Sequence, residues 1–116
     1  MSVFKMMLFS VGLTSESGAA YVSENLGRNI SENTIRNMMR AKASVPVDVV
    51  DCLKARQQSI IDASIAFTNW IEDSENQDEN GIAIIPHTHN ADTDIAKLAL
   101  AQAMLKTGQT CSMSQK

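Results

Sequence analysis

A chain of 116 residues with 44% hydrophobic side chains has the size and apolar content of a single domain with a real core, which excludes a wholly disordered chain. No apolar run approaches eighteen residues, and "MSVFKMMLF" leads into a polar, acidic stretch without a cleavage signal, so a soluble, cytoplasmic, membrane-free protein is expected. The formal charge of −3 argues against uniform adhesion to nucleic acid, but the charge is uneven. Residues 1–56 carry seven Lys or Arg against five Asp or Glu, a net of +2, whereas residues 57–116 carry three against eight, a net of −5. Within the first half, Arg28, Arg36, Arg40 and Lys42 face only Glu32 over a short span, which makes a local basic patch.

In chain order, Val3, Phe4, Met7, Leu8 and Val11 recur at helical spacing and predict a first helix from about Val3 to Ser10, ended by Gly12. "LTSESGAAYVSENLG" reads as a second helix, capped near Ser15 or Ser17 and ending near Gly27, with Ala19, Ala20, Val22 and Leu26 inward. The small pair Ala19 and Ala20 would let another helix approach closely. Ser31 reads as the N-cap of a third helix, with Glu32 and Asn33 in its first turn. There Ile35, Met38 and Met39 form the buried side, leaving Asn33, Arg36, Asn37 and Arg40 outward.

Pro46 suits the start of a further helix, and no Gly or Pro interrupts the chain from Val47 to about Asp73. Val50, Leu53, Ile60, Phe67 and Ile71 mark an apolar stripe on it, widened by Val49, Ile61 and Trp70. Residues 74–81 read as an acidic linker or turn closed by Asn-Gly, and "IAIIP" as a short strand. "DTDIAKLALAQAMLK" reads as a last helix capped by Asp92, with Ile95, Leu98, Ala99, Leu100, Met104 and Leu105 in its apolar part, and residues 107–116 as a frayed tail. The distal long helix is too long for three small helices to cover, and the strand lacks an evident partner. Both observations lead us to expect a homodimer contact at Phe67, Trp70, Ile71, Ile82, Ile84 and Ile85; the competing reading is that residues 82–106 fold back over the long helix and bury the stripe within one subunit.

Cys52 and Cys111 are read as two free thiols, since nothing signals an oxidising compartment. His87 and His89 would share one side of an extended strand near Asp92 and Asp94, but the chain lacks a Cys or His spacing that completes a tetrahedral site. There is no Gly-rich phosphate loop and no nucleophile elbow, so neither an enzyme nor a bound metal or cofactor is expected.

The third helix carries the functional reading. Arg can donate two hydrogen bonds to guanine, and Asn pairs with the donor and acceptor edge of adenine, so a helix bearing Asn and Arg outward suits a duplex major groove. "LTSESGAAYVSENLGRNISENTIRNMMRAKASVP" resembles the helix-turn-helix of the Cro and CI class of phage repressors, on Ser31, Thr34, Ile35, Met38, Arg40, Lys42 and Pro46. The long helix and "IIPHTHNADTDIAKLALAQAMLK" are similar to a smaller branch, the YdiL-like proteins and anti-CRISPR-associated repressors. The chain departs from the pattern in about four extra residues before the Ser cap, in Met39 where an acidic residue is usual, and in Ala41 where Gly is common.

The resemblance implies a mainly α, lambda-repressor-like helix-turn-helix bundle over residues 1–56, continued by a long fourth helix over 57–73 and a strand-plus-helix dimerisation segment over 82–106. It assigns base reading to Glu32, Asn33, Arg36 and Asn37, phosphate contact to Ser15, Ser17, Arg40, Lys42 and Ser44, and helix packing to Ala20, Ile35 and Met38. The implied protein is a homodimeric repressor or autoregulator on a palindromic double-stranded DNA operator, of phage or mobile-element type. The alternative is a small helical protein-protein adaptor that does not bind DNA.

Overall fold

The computed structural model describes residues 2–86 and 94–113. It is mainly helical, with a minimal parallel sheet near its end. Four helices come first: α1 (Val3–Ser10), α2 (Ser15–Leu26), α3 (Glu32–Met39) and α4 (Val47–Glu72). A 3-10 turn (Ser74–Asn76), β1 (Ala83–Ile85), α5 (Asp94–Thr107) and β2 (Cys111–Met113) follow. The chain divides into two compact units, Met1–Gln58 and Ser59–Lys116, so the boundary lies within α4.

In the first unit, side-chain caps set the helix starts. The Ser2 hydroxyl accepts from Lys5 N and donates to the Met39 carbonyl, which ties the start of α1 to the end of α3. Thr14, not Ser15 or Ser17, caps α2, and Ser17 completes a reciprocal capping box by accepting from Thr14 N. A Ser at the third helical position can close this box because its short hydroxyl reaches back over one turn, as Glu or Gln does in the commoner version. Ser31 caps α3 as the spacing predicts, accepting from Thr34 N at 3.1 Å.

The core of this unit contains Phe4, Leu8, Val11, Leu13, Ala19, Val22, Ile30, Ile35, Met38, Val49 and Leu53. The close approach falls at Gly18 and Ala19, whereas Ala20 is exposed. A Cβ at Gly18 would lie 3.2 Å from Leu8 Cδ2, closer than packed carbons normally come, and 4.0 Å from Ile35 Cγ2, so the missing side chain makes room for Leu8 of α1 against α2. The packing role assigned to Ala20 therefore belongs one and two residues earlier, a shift of phase on a helix whose apolar and polar faces differ little in hydrophobicity.

Arg56 is buried although no spacing argument marks it. Its Nε donates to the Val11 carbonyl at 2.7 Å, and its guanidinium lies 4.9 Å from the Tyr21 ring centre. One cation thus satisfies a carbonyl at the end of α1 and covers an aromatic face on α2. Cys52 is a buried free thiol whose pKa burial pushes up, and Cys111 is also free and shifted the same way by burial, so neither has the depressed pKa of a reactive thiol.

In the second unit the apolar stripe of α4 becomes core. Ile60, Phe67 and Ile71 are buried in the single chain, as are Ala83 and Ile85 of β1 and Ala96, Ala99, Leu100 and Ala103 of α5. Ile61 and Val50, also expected in the stripe, are exposed, and so is Leu105 of α5. β1 shows the two-residue alternation of a half-buried strand, with Ile84 outward between Ala83 and Ile85.

Two expectations for this half are corrected. The segment read as a frayed tail contains β2, which pairs in parallel with β1 in the register Ala83 to Cys111 and Ile85 to Met113. β1 therefore has a partner in its own chain, and the other side of Ala83 is taken by an antiparallel bridge to Gln77. Of the six residues placed at a dimer contact, Phe67, Ile71 and Ile85 are core, Trp70 and Ile82 are half-buried, and Ile84 remains open at 40% exposure.

The acidic stretch after α4, read as a linker or turn, forms the 3-10 turn and then a turn at Asn80 and Gly81. Asn76 Nδ2 donates to the Trp70 carbonyl and Gln77 Nε2 to the Ile71 carbonyl, which caps the end of α4. Asp78 Oδ1 accepts from Asn80 N and Ile82 N around Gly81, whose φ of 77° suits the glycine of the Asn-Gly turn. These polar side chains bond the local backbone. Among the described residues, no helix is long and apolar enough to cross a membrane.

Candidate nucleic-acid interface

The outer side of α3 is positioned by what its inner side buries. Ile35 is fully buried and Met38 nearly so, which turns Asn33 and Arg36 to solvent and leaves Asn37 half-buried. Among the described residues, the side-chain amides of Asn33 and Asn37 make no hydrogen bond to protein, so their donors and acceptors are available to a ligand.

The connection from α2 to α3 is longer than a tight turn, and it is ordered by specific bonds. Gly27 ends α2 in the left-handed region at φ 67°. The Ser23 hydroxyl then accepts from Ile30 N at 2.8 Å and donates to the Ile30 carbonyl at 3.0 Å. One side chain on α2 satisfies both backbone groups of Ile30, whose own side chain enters the core. The extra residues thus form a clamped link, and they place Ser31 to start α3.

Glu32 is not an open base-reading group. Its Oε1 accepts from Ser15 Oγ at 3.1 Å and from Arg36 Nη2 at 2.7 Å. The carboxylate joins the first residue of α2 to the middle of α3, and Arg36 is held along its own helix as an i, i+4 pair. The remaining assigned residues are placed as follows. Ser15 is committed to Glu32, and Ser17 to the capping box. Arg40, Lys42 and Ser44 are exposed at and beyond the end of α3. Arg28, part of the basic patch by sequence, is paired with Asp48 at 2.9 Å.

Lys5, Ser15, Arg36, Met39 and Arg40 line a hollow of about 210 Å³. Lys5 is the residue the spacing argument misses, because in sequence it is an isolated cation in an apolar segment. Its Nζ lies 5.6 Å from the Phe9 ring centre, and among the described residues neither Lys5 nor Arg40 forms an ion pair. Only the packing of α1 beside α3 brings Lys5 to Arg36 and Arg40.

Among the described residues no group of three or more His, Cys, Asp or Glu could hold a metal ion. His87, His89 and Asp92, considered above as ligands or as a helix cap, lie outside the described residues. No protein-family model matches the chain, and no curated protein or solved structure matches it.

Proposed function

We propose that the protein is a sequence-specific double-stranded DNA-binding repressor or autoregulator, acting as a homodimer on a palindromic operator. The observation that carries this reading is α3 itself: a short helix locked by buried Ile35 and Met38, with Asn33 exposed, Asn37 half-buried, and Arg40, Lys42 and Ser44 exposed at and beyond its end. The resemblance to the lambda-repressor-like helix-turn-helix rests in part on the same residues, Ile35, Met38, Arg40 and Lys42. Asn33 and Asn37 read base edges, while Arg40, Lys42 and Ser44 contact phosphates and fix the register. Arg36, once released by Glu32, has both guanine and phosphate within its chemistry.

The dimer follows from the recognition problem. One short helix reads few bases, whereas two related by a two-fold axis read half-sites about 34 to 36 Å apart. Sedimentation of the full chain at tens of micromolar should show the dimer; a monomer there removes this part of the proposal.

Selection from a randomised duplex pool tests DNA reading. The expected result is a two-fold symmetric consensus, blurred at one position per half-site by Asn33→Ala, with about 1 to 3 kcal/mol of discrimination lost. Failure to enrich any sequence contradicts it. One observation favours the adaptor alternative: Val3, Met6 and Phe9 are exposed at 75%, 58% and 47%, three residues apart along α1, and so form an apolar strip. A pool without a consensus would leave that strip as the leading functional surface.

A further inference from the structure

We propose that the hollow between α1, α2 and α3 is a phosphate-binding site, and that Glu32 is the resident anion that an incoming phosphate displaces from Arg36. The proposal deepens the DNA reading by assigning Arg36 to the backbone rather than to a base, and it adds Lys5, which no sequence argument assigned.

Three cations of the hollow come from two helices: Lys5 from α1, Arg36 from α3 and Arg40 from the end of α3. Bringing like charges together costs Coulomb energy, which an anion between them reverses. One anion is already present. Glu32 neutralises Arg36 and bonds Ser15, but Lys5 and Arg40 have no ion-pair partner among the described residues, so one carboxylate is set against three cations. The residual positive charge favours an oxyanion, and a hollow of about 210 Å³ has room for one.

Chemistry chooses phosphate over carboxylate. A carboxylate holds its two oxygens in one plane, whereas a phosphodiester sets four oxygens tetrahedrally around phosphorus, so one unesterified oxygen can take Arg36 while the other meets Lys5 or Arg40 from a different helix. The Ser15 hydroxyl, released from Glu32, is a further donor, and it stands at the first residue of α2, where the helix dipole favours an anion. Glu32 keeps the hollow organised when it is empty, holding Arg36 in one place so that less freedom is lost on binding. It also sets a threshold, because weak anions must compete with a carboxylate already bonded at 2.7 Å.

The phosphate can come from a DNA backbone or from a free phosphate, and the test separates the two. The full chain is titrated with a random-sequence duplex and, separately, with inorganic phosphate, following the side-chain nitrogen signals of Lys5 and Arg36 by NMR. Binding of the duplex is also measured against salt for the native chain, Lys5→Met and Glu32→Gln. Met keeps most of the Lys5 stem, and Gln retains an acceptor for Ser15, so each variant changes charge more than packing.

The expected result is that the duplex moves both signals and that Lys5→Met weakens all sequences alike. That variant should also lower the slope of log affinity against log salt by about 0.9, the value for one phosphate contact. Glu32→Gln should bind more tightly than the native chain. If the duplex binds while both signals stay fixed and Lys5→Met leaves the slope unchanged, the hollow is not the phosphate site and the DNA reading survives. If the duplex fails to bind but inorganic phosphate moves both signals, the hollow stands for free phosphate and the DNA reading falls. No response to either probe overturns both.

Discussion

The links on either side of α3 differ in how they are held. Before the helix, the chain is fixed at each step: Gly27 supplies the left-handed turn, Ser23 takes both polar groups of Ile30, and Ser31 caps the new helix. After it, Lys42 N donates to the Asn37 carbonyl and Ala41 N to the Met38 carbonyl, the paired bonds of a Schellman ending. This ending demands the left-handed region at Ala41, which adopts φ 57° without being glycine, and residues 41–44 are all exposed. One link is clamped by side chains and a glycine turn, and the other keeps its bonds at the expense of backbone strain. The comparison indicates that α3 is anchored by its core contacts and leading link, while its basic trailing link faces solvent and any ligand.

The strongest way to break this arrangement is to remove the core contact. Ile35→Ala should destabilise the chain by about 2 to 5 kcal/mol, because a fully buried side chain leaves a cavity beside Gly18. Chemical denaturation reads the loss, and an unchanged midpoint would contradict the register of α3. Ser23→Ala should cost less, about 1 to 3 kcal/mol, since it strands the Ile30 amide and carbonyl in a partly buried link. Faster hydrogen exchange at Ile30 and through the first turn of α3 should accompany it. If exchange quickens equally everywhere, the clamp is not local.

The smallest effect should carry the opposite sign. Ala41→Gly relieves the left-handed backbone but increases the freedom of the unfolded chain, leaving a net gain of about 0.5 to 1 kcal/mol. A thermal melt that falls instead of rising would show that residue 41 is not strained.

Ala41 also shows how far the sequence was readable. The resemblance marks it as a place where Gly is common, and the structure supplies the reason, since the ending of α3 needs that conformation. The caps at Ser31, the bounds of α1 and the length of α4 were legible because each rests on neighbours within one or two helical turns. What was missed depends on distant partners. Gly18 is a contact point only because Leu8 and Ile35 converge there, and Arg56 is core only because the Val11 carbonyl and the Tyr21 ring await it.

The same reason explains the C-terminal half. Three residues, Cys111 to Met113, have little periodicity to detect, and become a strand only when β1 lies alongside. At the candidate site, the outward side of α3 was readable from the spacing of Ile35 and Met38. The Glu32 bridge and the approach of Lys5 were not, since both join separate helices.

The most direct test of the central claim is a salt-dependent titration of the full chain against two duplexes of equal length: one from upstream of its own gene, the other a scramble of the same composition. Affinity for both should fall steeply as salt rises, because phosphate contacts release counterions, while the upstream duplex remains the tighter ligand throughout. Equal affinity for the two, or no binding to either at low salt, would contradict the account.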